Sequence, residues 1–239
     1  MHKNTKLTPL IRKEIYELWD GGETVAEIER EFRVTRRIIY IILKRALGRL
    51  AKKVQRYEKK YPGEMLHFDT KKLRPARKDW KKKSEVLYVA IDDYSRQLFA
   101  DIFPQKNAMT SALFLEMVLD LAPYSVEEVY SDNECEFKGN PKSHDFVWFC
   151  MDHGMQQSFT RVRRPQTNGK AERVIRTLME ECLSKYAYKT GEERRQALQK
   201  YVQYYNEHRP HSALRKGKII LTPCQVIETY VNSKVYTTR

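Results

Sequence analysis

The sequence predicts an α/β domain, built on a mixed five-stranded sheet flanked by helices and preceded by a small all-α module. Three observations carry this. Between residues 65 and 160, short apolar segments of strand length alternate with stretches of helical periodicity. The first fifty residues show helical spacing alone, punctuated by Gly and Thr. A basic stretch over 51–62, ending at Pro62-Gly63, separates the two.

In the leading module, residues 9–19 place Leu10, Ile11, Ile15 and Leu18 at helical spacing, and Gly21-Gly22 stops the helix. Thr24 is a plausible N-cap for a second helix over 25–32, with Val25, Ile28 and Phe32 on its apolar face. Thr35 caps a third helix running through Ile38, Ile39, Ile42 and Leu43. Helix, short helix, tight turn and helix make the helix-turn-helix pattern, whose last helix presents its N-terminal residues to base edges. That nominates Arg36, Arg37 and Tyr40, with Lys44 and Arg45 continuing the basic run. The competing reading is a three-helix packing module whose charges are merely solvated.

Charge separates these readings. Eleven Lys or Arg lie between Arg33 and Lys60 (33, 36, 37, 44, 45, 49, 52, 53, 56, 59 and 60) against one acid, Glu58, while six glutamates load the two earlier helices. A merely soluble surface mixes its signs, so this directional basicity favours DNA. The whole chain agrees: 45 Lys and Arg against 31 Asp and Glu give a formal charge of +14 and a pI near 9.5, which favours a polyanionic partner. At 239 residues there is room for one sizeable core and an appendage. The four cysteines form no CxxC pair and no framework, pointing to a reduced cytoplasmic setting. No apolar run approaches membrane-spanning length, and the N-terminus lacks a signal-peptide core.

Beyond Gly63, residues 65–73, 86–94 and 98–103 read as three consecutive strands, the last two joined by a turn around 94–97. A helix over 107–121 follows, then a strand over 126–130, a short helix over 143–153, a strand over 155–160 and a long helix over 167–186. A further helix spans 192–207.

Two aspartates and a glutamate on these elements carry the chemistry. His67 and Asp69 are two apart on a strand, so both project to one face while Leu66 and Phe68 face the other. Asp132 falls where an apolar strand ends, a position from which sheet-based sites project side chains. Glu172 lies in the first turns of an amphipathic helix behind a Pro-Asn-Gly breaker. Three hard oxygen donors without a nearby thiol suit Mg²⁺ or Mn²⁺. Other residues read more plainly. Asp92 and Asp93 point to opposite faces and are assigned to turn structure and sheet support. Glu134 and Glu136 are loop acids near Asp132. His144, Cys150 and His153 lack a second paired half and read as a structural helix rather than a zinc site. His67 reads as a residue that orients a ligand or touches phosphate, or as a satisfied surface histidine.

These residues resemble a known family. His67-x-Asp69, Asp92-Asp93-Tyr94-Ser95-Arg96, Ser131-Asp132-Asn133 with Glu136-Phe137, Arg164-Pro165-Gln166-Thr167-Asn168-Gly169-Lys170-Ala171-Glu172-Arg173 and Tyr205-Asn206-x-x-Arg209-Pro210-His211-Ser212-Ala213-Leu214 occur in one order over about residues 64 to 226. Together they resemble the Asp-Asp-Glu transposases of bacterial insertion sequences, within the retroviral-integrase superfamily. The resemblance implies a ribonuclease-H-like fold and two divalent ions, Mg²⁺ or Mn²⁺, held by Asp69, Asp132 and Glu172, with Asp69 bridging. It implies a DNA transposase that cleaves transposon ends and transfers strands. His67 and Asn133 would support the ligands from behind. Lys170, Arg173 and Arg176, with Arg163 and Arg164, are candidates for the DNA backbone. The partners implied are transposon-end and target DNA and further copies of the chain, in a bacterial cytoplasm and associated with the nucleoid.

The organisation expected is a DNA-binding module over 1–50, a basic linker over 51–62, a catalytic core over 63–190, and a C-terminal helix and tail packing on the core over 191–239. Glu134 stands where the family usually has Gly, which predicts a reshaped or strained turn. The alternatives are a catalytically inactive transposase-derived DNA-binding protein and a nuclease of the same fold that cuts without joining.

Overall fold

The structure is a computed structural model that describes residues 7, 9–43, 59–76, 84–160 and 168–237. The chain divides into two compact units, Met1–Tyr57 and Glu58–Arg239.

The first unit holds α1 (Pro9–Asp20), α2 (Val25–Phe32) and α3 (36–43). Its three helices bury Ile15, Ile28, Ile39, Ile42 and Leu43 against one another. The entry to α2 is fixed reciprocally: the Thr24 hydroxyl accepts from the Glu27 N–H at 3.3 Å, and the Glu27 carboxylate accepts from the Thr24 N–H at 2.7 Å. Arg33 ends α2 in the left-handed region at φ 51°, turning the chain tightly into α3.

In the second unit, β1 (Leu66–Leu73), β2 (Glu85–Asp92) and β3 (Leu98–Phe103) form an antiparallel meander. Helix α4 (Ala108–Leu121) crosses to β4 (Glu128–Ser131), and α5 (Asp145–Asp152) leads to β5 (Gln156–Phe159). β4 runs parallel to β1 and β5 parallel to β4, giving a mixed five-stranded sheet in the order β3-β2-β1-β4-β5. Next come α6 (Gly169–Leu178), continued by a π turn over Met179–Leu183, and α7 (Gly191–Glu207). A short hairpin of β6 (Arg215–Lys216) and β7 (Ile219–Ile220), then α8 (Pro223–Thr237), complete the unit. Neither the hairpin nor α8 is anticipated by apolar periodicity.

The alternation of β1 sorts the core into two layers. Leu66 and Phe68 join Phe114, Phe137 and Phe146 under α4 and α5. Leu73, with Val89 and Ile91 of β2, joins Ala171, Val174, Ile175 and Leu178 of α6. The edge strand β3 is held from α7, where Asn206 accepts from the Leu98 N–H and donates to its carbonyl, both at 2.8 Å. Using both backbone groups of an edge residue blocks further strand addition there. Residues 59–62, read from sequence as the end of a linker, sit in this unit: Lys59 bonds Glu128 at 3.1 Å, and Pro62 is buried. Among the described residues, no helix is long and apolar enough to cross a membrane.

Candidate active site

The site is built on β1. Asp69 pairs in register with Val89 and His67 with Ile91, so both lie on the α6 side of the sheet, where Val89 and Ile91 pack. On the parallel neighbour, His67 is level with Tyr130. Asp132, two residues past Tyr130, therefore stands level with Asp69, two past His67. Glu172 comes from the first turn of α6 and is exposed.

Asp69 feels the charge of both other carboxylates. Burial is the largest influence on Asp69 and pushes its carboxyl up to about 7; the Thr70 N–H opposes this at 2.8 Å, while the charges of Asp132, Glu172 and Glu134 raise it further. Burial also raises Asp132, against the N–H of Glu134 at 3.1 Å, with Glu134 and Glu136 adding to the rise. The three acids share a region without closing into a cage. Among the described residues, no group of three His, Cys, Asp or Glu side chains is gathered at metal-holding spacing. The donor set nonetheless suits a hard divalent cation: oxygen donors only, around a half-buried aspartate whose charge is opposed by further carboxylates.

The surrounding acids are occupied differently. Glu136 is fully buried, accepts from the Thr70 hydroxyl at 3.1 Å and meets Lys106 at 2.8 Å. Lys106 also pairs with the exposed Glu134, so one ammonium bridges both loop acids. Glu134 does not adopt a positive φ; among the described non-glycine residues only Arg33 and Arg96 do. The strain expected where Glu replaces Gly is therefore absent, because this turn needs no left-handed residue. Asn133 donates to the Thr160 carbonyl at 2.7 Å and accepts from Lys138 at 2.8 Å, tying its loop to the end of β5. His144 caps α5, and its Nε2 bonds the Cys135 carbonyl at 2.7 Å.

The basic candidates part company. Arg173 and Arg176 are exposed on α6, but Lys170 turns inward to the buried carboxylate of Asp93. In the first unit Arg37 and Tyr40 are exposed on α3, and Arg36, though exposed, is held by Glu29 at 2.7 Å. Lys44, Arg45, Arg163 and Arg164 lie outside the described residues. His67 is fully buried against Asp93 at 2.7 Å, so it is neither a surface histidine nor a phosphate contact.

Two residues take on roles the sequence reading did not give them. Asp93, read as turn and sheet support, binds His67 and Lys170. Asn168 stands at the N-cap of α6 without capping it; its amide crosses to donate to the Phe68 carbonyl at 2.9 Å, next to Asp69. A fully apolar strand running straight into two acids was a legible signal for the first. Nothing local marked the second, whose partner lies 100 residues away.

Comparisons with known proteins bear on the fold and on the likeness to integrases. The family model described as "Integrase core domain" matches residues 153–217, a span that includes Glu172 but neither aspartate. An uncharacterized protein of insertion element IS136 from Agrobacterium fabrum is 25% identical over 142 residues, covering 55% of this chain and 70% of that protein. Over these spans the chain is similar to an integrase core domain and to an insertion-element protein. An uncharacterized Caenorhabditis elegans protein is 30% identical over 128 residues, 54% of this chain but only 10% of that much longer relative. Among solved structures, the catalytic core of BIV integrase superposes with a TM-score of 0.52 at 19% identity, covering 72% of this chain and 99% of that one. A chain of a simian T-cell lymphotropic virus intasome, solved in complex with the PP2A regulatory subunit B56 gamma, gives 0.58 at 13% identity, over 85% and 74% of the two chains. The HTLV-2 integrase catalytic core, solved in complex with magnesium, gives 0.51 at 16% identity, over 70% and 97%. These likenesses establish the fold, which is the ribonuclease-H-like fold of a retroviral integrase catalytic core.

Proposed function

We propose that the chain is a DNA transposase that cleaves a phosphodiester at a transposon end and joins the freed 3′-hydroxyl to target DNA. The observation that carries this reading is Asp69, half-buried on the sheet and opposed by the carboxylates of Asp132 and Glu172. Such a group calls for a cation. Asp69, Asp132 and Glu172 would hold divalent ions, Mg²⁺ or Mn²⁺, which when bound activate the attacking oxygen and offset charge on the leaving one. Magnesium in the HTLV-2 relative supports that choice. Arg173 and Arg176, exposed on the helix that carries Glu172, are placed to hold backbone phosphates. In the first unit, exposed Arg37 and Tyr40 on α3 serve DNA recognition as the third helix of a helix-turn-helix. Assembly of several copies on DNA is part of the proposal, supported by the intasome relative.

A second reading has one observation in its favour. The three carboxylates are not gathered at metal-holding spacing, as expected of a transposase-derived protein that binds DNA without cutting it.

Supercoiled plasmid incubated with the protein and Mn²⁺, beside Asp132→Asn and Glu172→Gln, separates the two. The proposal expects metal-dependent nicked and joined products that both substitutions abolish. An inert wild type that keeps salt-sensitive DNA binding supports the second reading.

A further inference from the structure

Beside the carboxylate site lies a buried polar cluster that the proposed chemistry does not use. Asp93, in the turn after β2, is fully buried. Its Oδ1 receives His67 Nε2 at 2.7 Å and the ammonium of Lys170, and its Oδ2 accepts the Lys59 N–H at 3.0 Å. Its backbone is equally engaged: the N–H donates to the Met65 carbonyl at 2.9 Å, and the carbonyl accepts from Arg96. Burying a carboxylate is tolerable only with such partners, and removing one of them is strongly unfavourable.

The partners sit at matched positions. His67 precedes Asp69 by two residues on the same face of β1. Lys170 precedes Glu172 by two residues in the first turn of α6. One carboxylate oxygen thus spans the strand that carries one acid and the helix that carries another. Asn168 adds a parallel tie from the start of α6 to the Phe68 carbonyl.

We propose that Asp93 is a positioning residue for the carboxylate site: through His67 and Lys170 it locks β1 to the first turn of α6 and so sets the separation of Asp69 from Glu172. This inference rests on reading that site as the metal site. Supporting groups of this kind typically change metal affinity by about 10- to 100-fold when removed. It also reassigns Lys170, which acts through Asp93 and not on DNA.

The test uses the full chain as Lys170→Met, Lys170→Arg and Asp93→Asn. Mn²⁺ affinity is read from the free-ion electron paramagnetic resonance signal, DNA affinity in EDTA is measured across salt, and thermal unfolding checks that each variant is folded. Lys170→Met is expected to weaken Mn²⁺ binding about tenfold, to leave the salt dependence of DNA binding unchanged, and to be largely rescued by Lys170→Arg. Asp93→Asn, where folded, shows the same loss. Mn²⁺ affinity within about twofold of wild type in folded Lys170→Met overturns the proposal. So does unchanged Mn²⁺ affinity with a salt slope reduced by about one, which returns Lys170 to a phosphate. A wild type that binds no Mn²⁺ overturns the metal-site reading itself, and the positioning role with it.

Discussion

Asp69, half-buried on β1, and Asp93, fully buried in the turn after β2, flank one sheet, yet the protein treats their charges in opposite ways. Burial pushes both carboxyls up. Around Asp93 that push is overcome by His67, Lys170 and the Lys59 N–H, which hold it well below the usual carboxylate range. Around Asp69 the one hydrogen bond to Thr70 is outweighed, and the nearby carboxylates add to the rise. A fold that satisfies one buried aspartate so fully and leaves its neighbour among like charges separates structure from function. The first holds elements together, and the second is, on the proposed function, where positive charge would bind.

The sharpest way to break this contrast is Asp69→Asn, which removes a proposed ligand while preserving shape. Metal-dependent plasmid cutting should fall by about three orders of magnitude, since metal stabilisation of the transition state is worth several kcal/mol. Gel quantification of nicked product measures it. Asp93→Ala should act on the fold as well as on the site it positions, lowering stability by about 3–5 kcal/mol by leaving Lys170 and His67 without their shared carboxylate; urea unfolding at neutral pH measures that.

The acid limbs of stability should then diverge. Asp93 has a depressed folded-state pKa, so its contribution is present above the ordinary aspartate value of 3.8 and is lost as pH falls below it. Asp69 has a raised one, about 7 against 3.8, so its charge opposes folding increasingly across that interval and fully above it. In EDTA at pH 8, Asp69→Asn should therefore be more stable than wild type by on the order of 1 kcal/mol, roughly 2–4 °C in Tm. The gain should vanish near pH 4, as scanning calorimetry at the two pH values would show. The smallest effect expected is from Glu134→Gly. With no left-handed backbone to relieve, it should change stability by less than about 1 kcal/mol and leave metal-dependent cutting in place.

Sequence made one half of the comparison legible and hid most of the other. The two-residue spacing of His67 and Asp69, the strand end before Asp132 and the helix start around Glu172 are local patterns, and local patterns survive in a linear reading. All five strands and helices α4 and α7 fall within two residues of their expected limits; β2 (Glu85–Asp92) closes before position 94 because Asp93 begins the turn, and α6, expected to run to 186, gives way to a π turn after Leu178. The satisfied cluster is built from contacts 26, 34 and 77 residues apart, which no periodicity reports. Lys170 was accordingly assigned to DNA with its basic neighbours. Arg36 shows the same limit, since its partner Glu29 comes from the preceding helix. The β6–β7 hairpin escaped because two-residue strands have no alternation to detect.

The most direct measurement is the number of Mn²⁺ ions bound by the metal-free protein and by Asp69→Asn, counted from the loss of the free-ion resonance signal. The account predicts about two ions on the wild type, with saturable binding sharply weakened in the variant. Equal binding by the two proteins would contradict it.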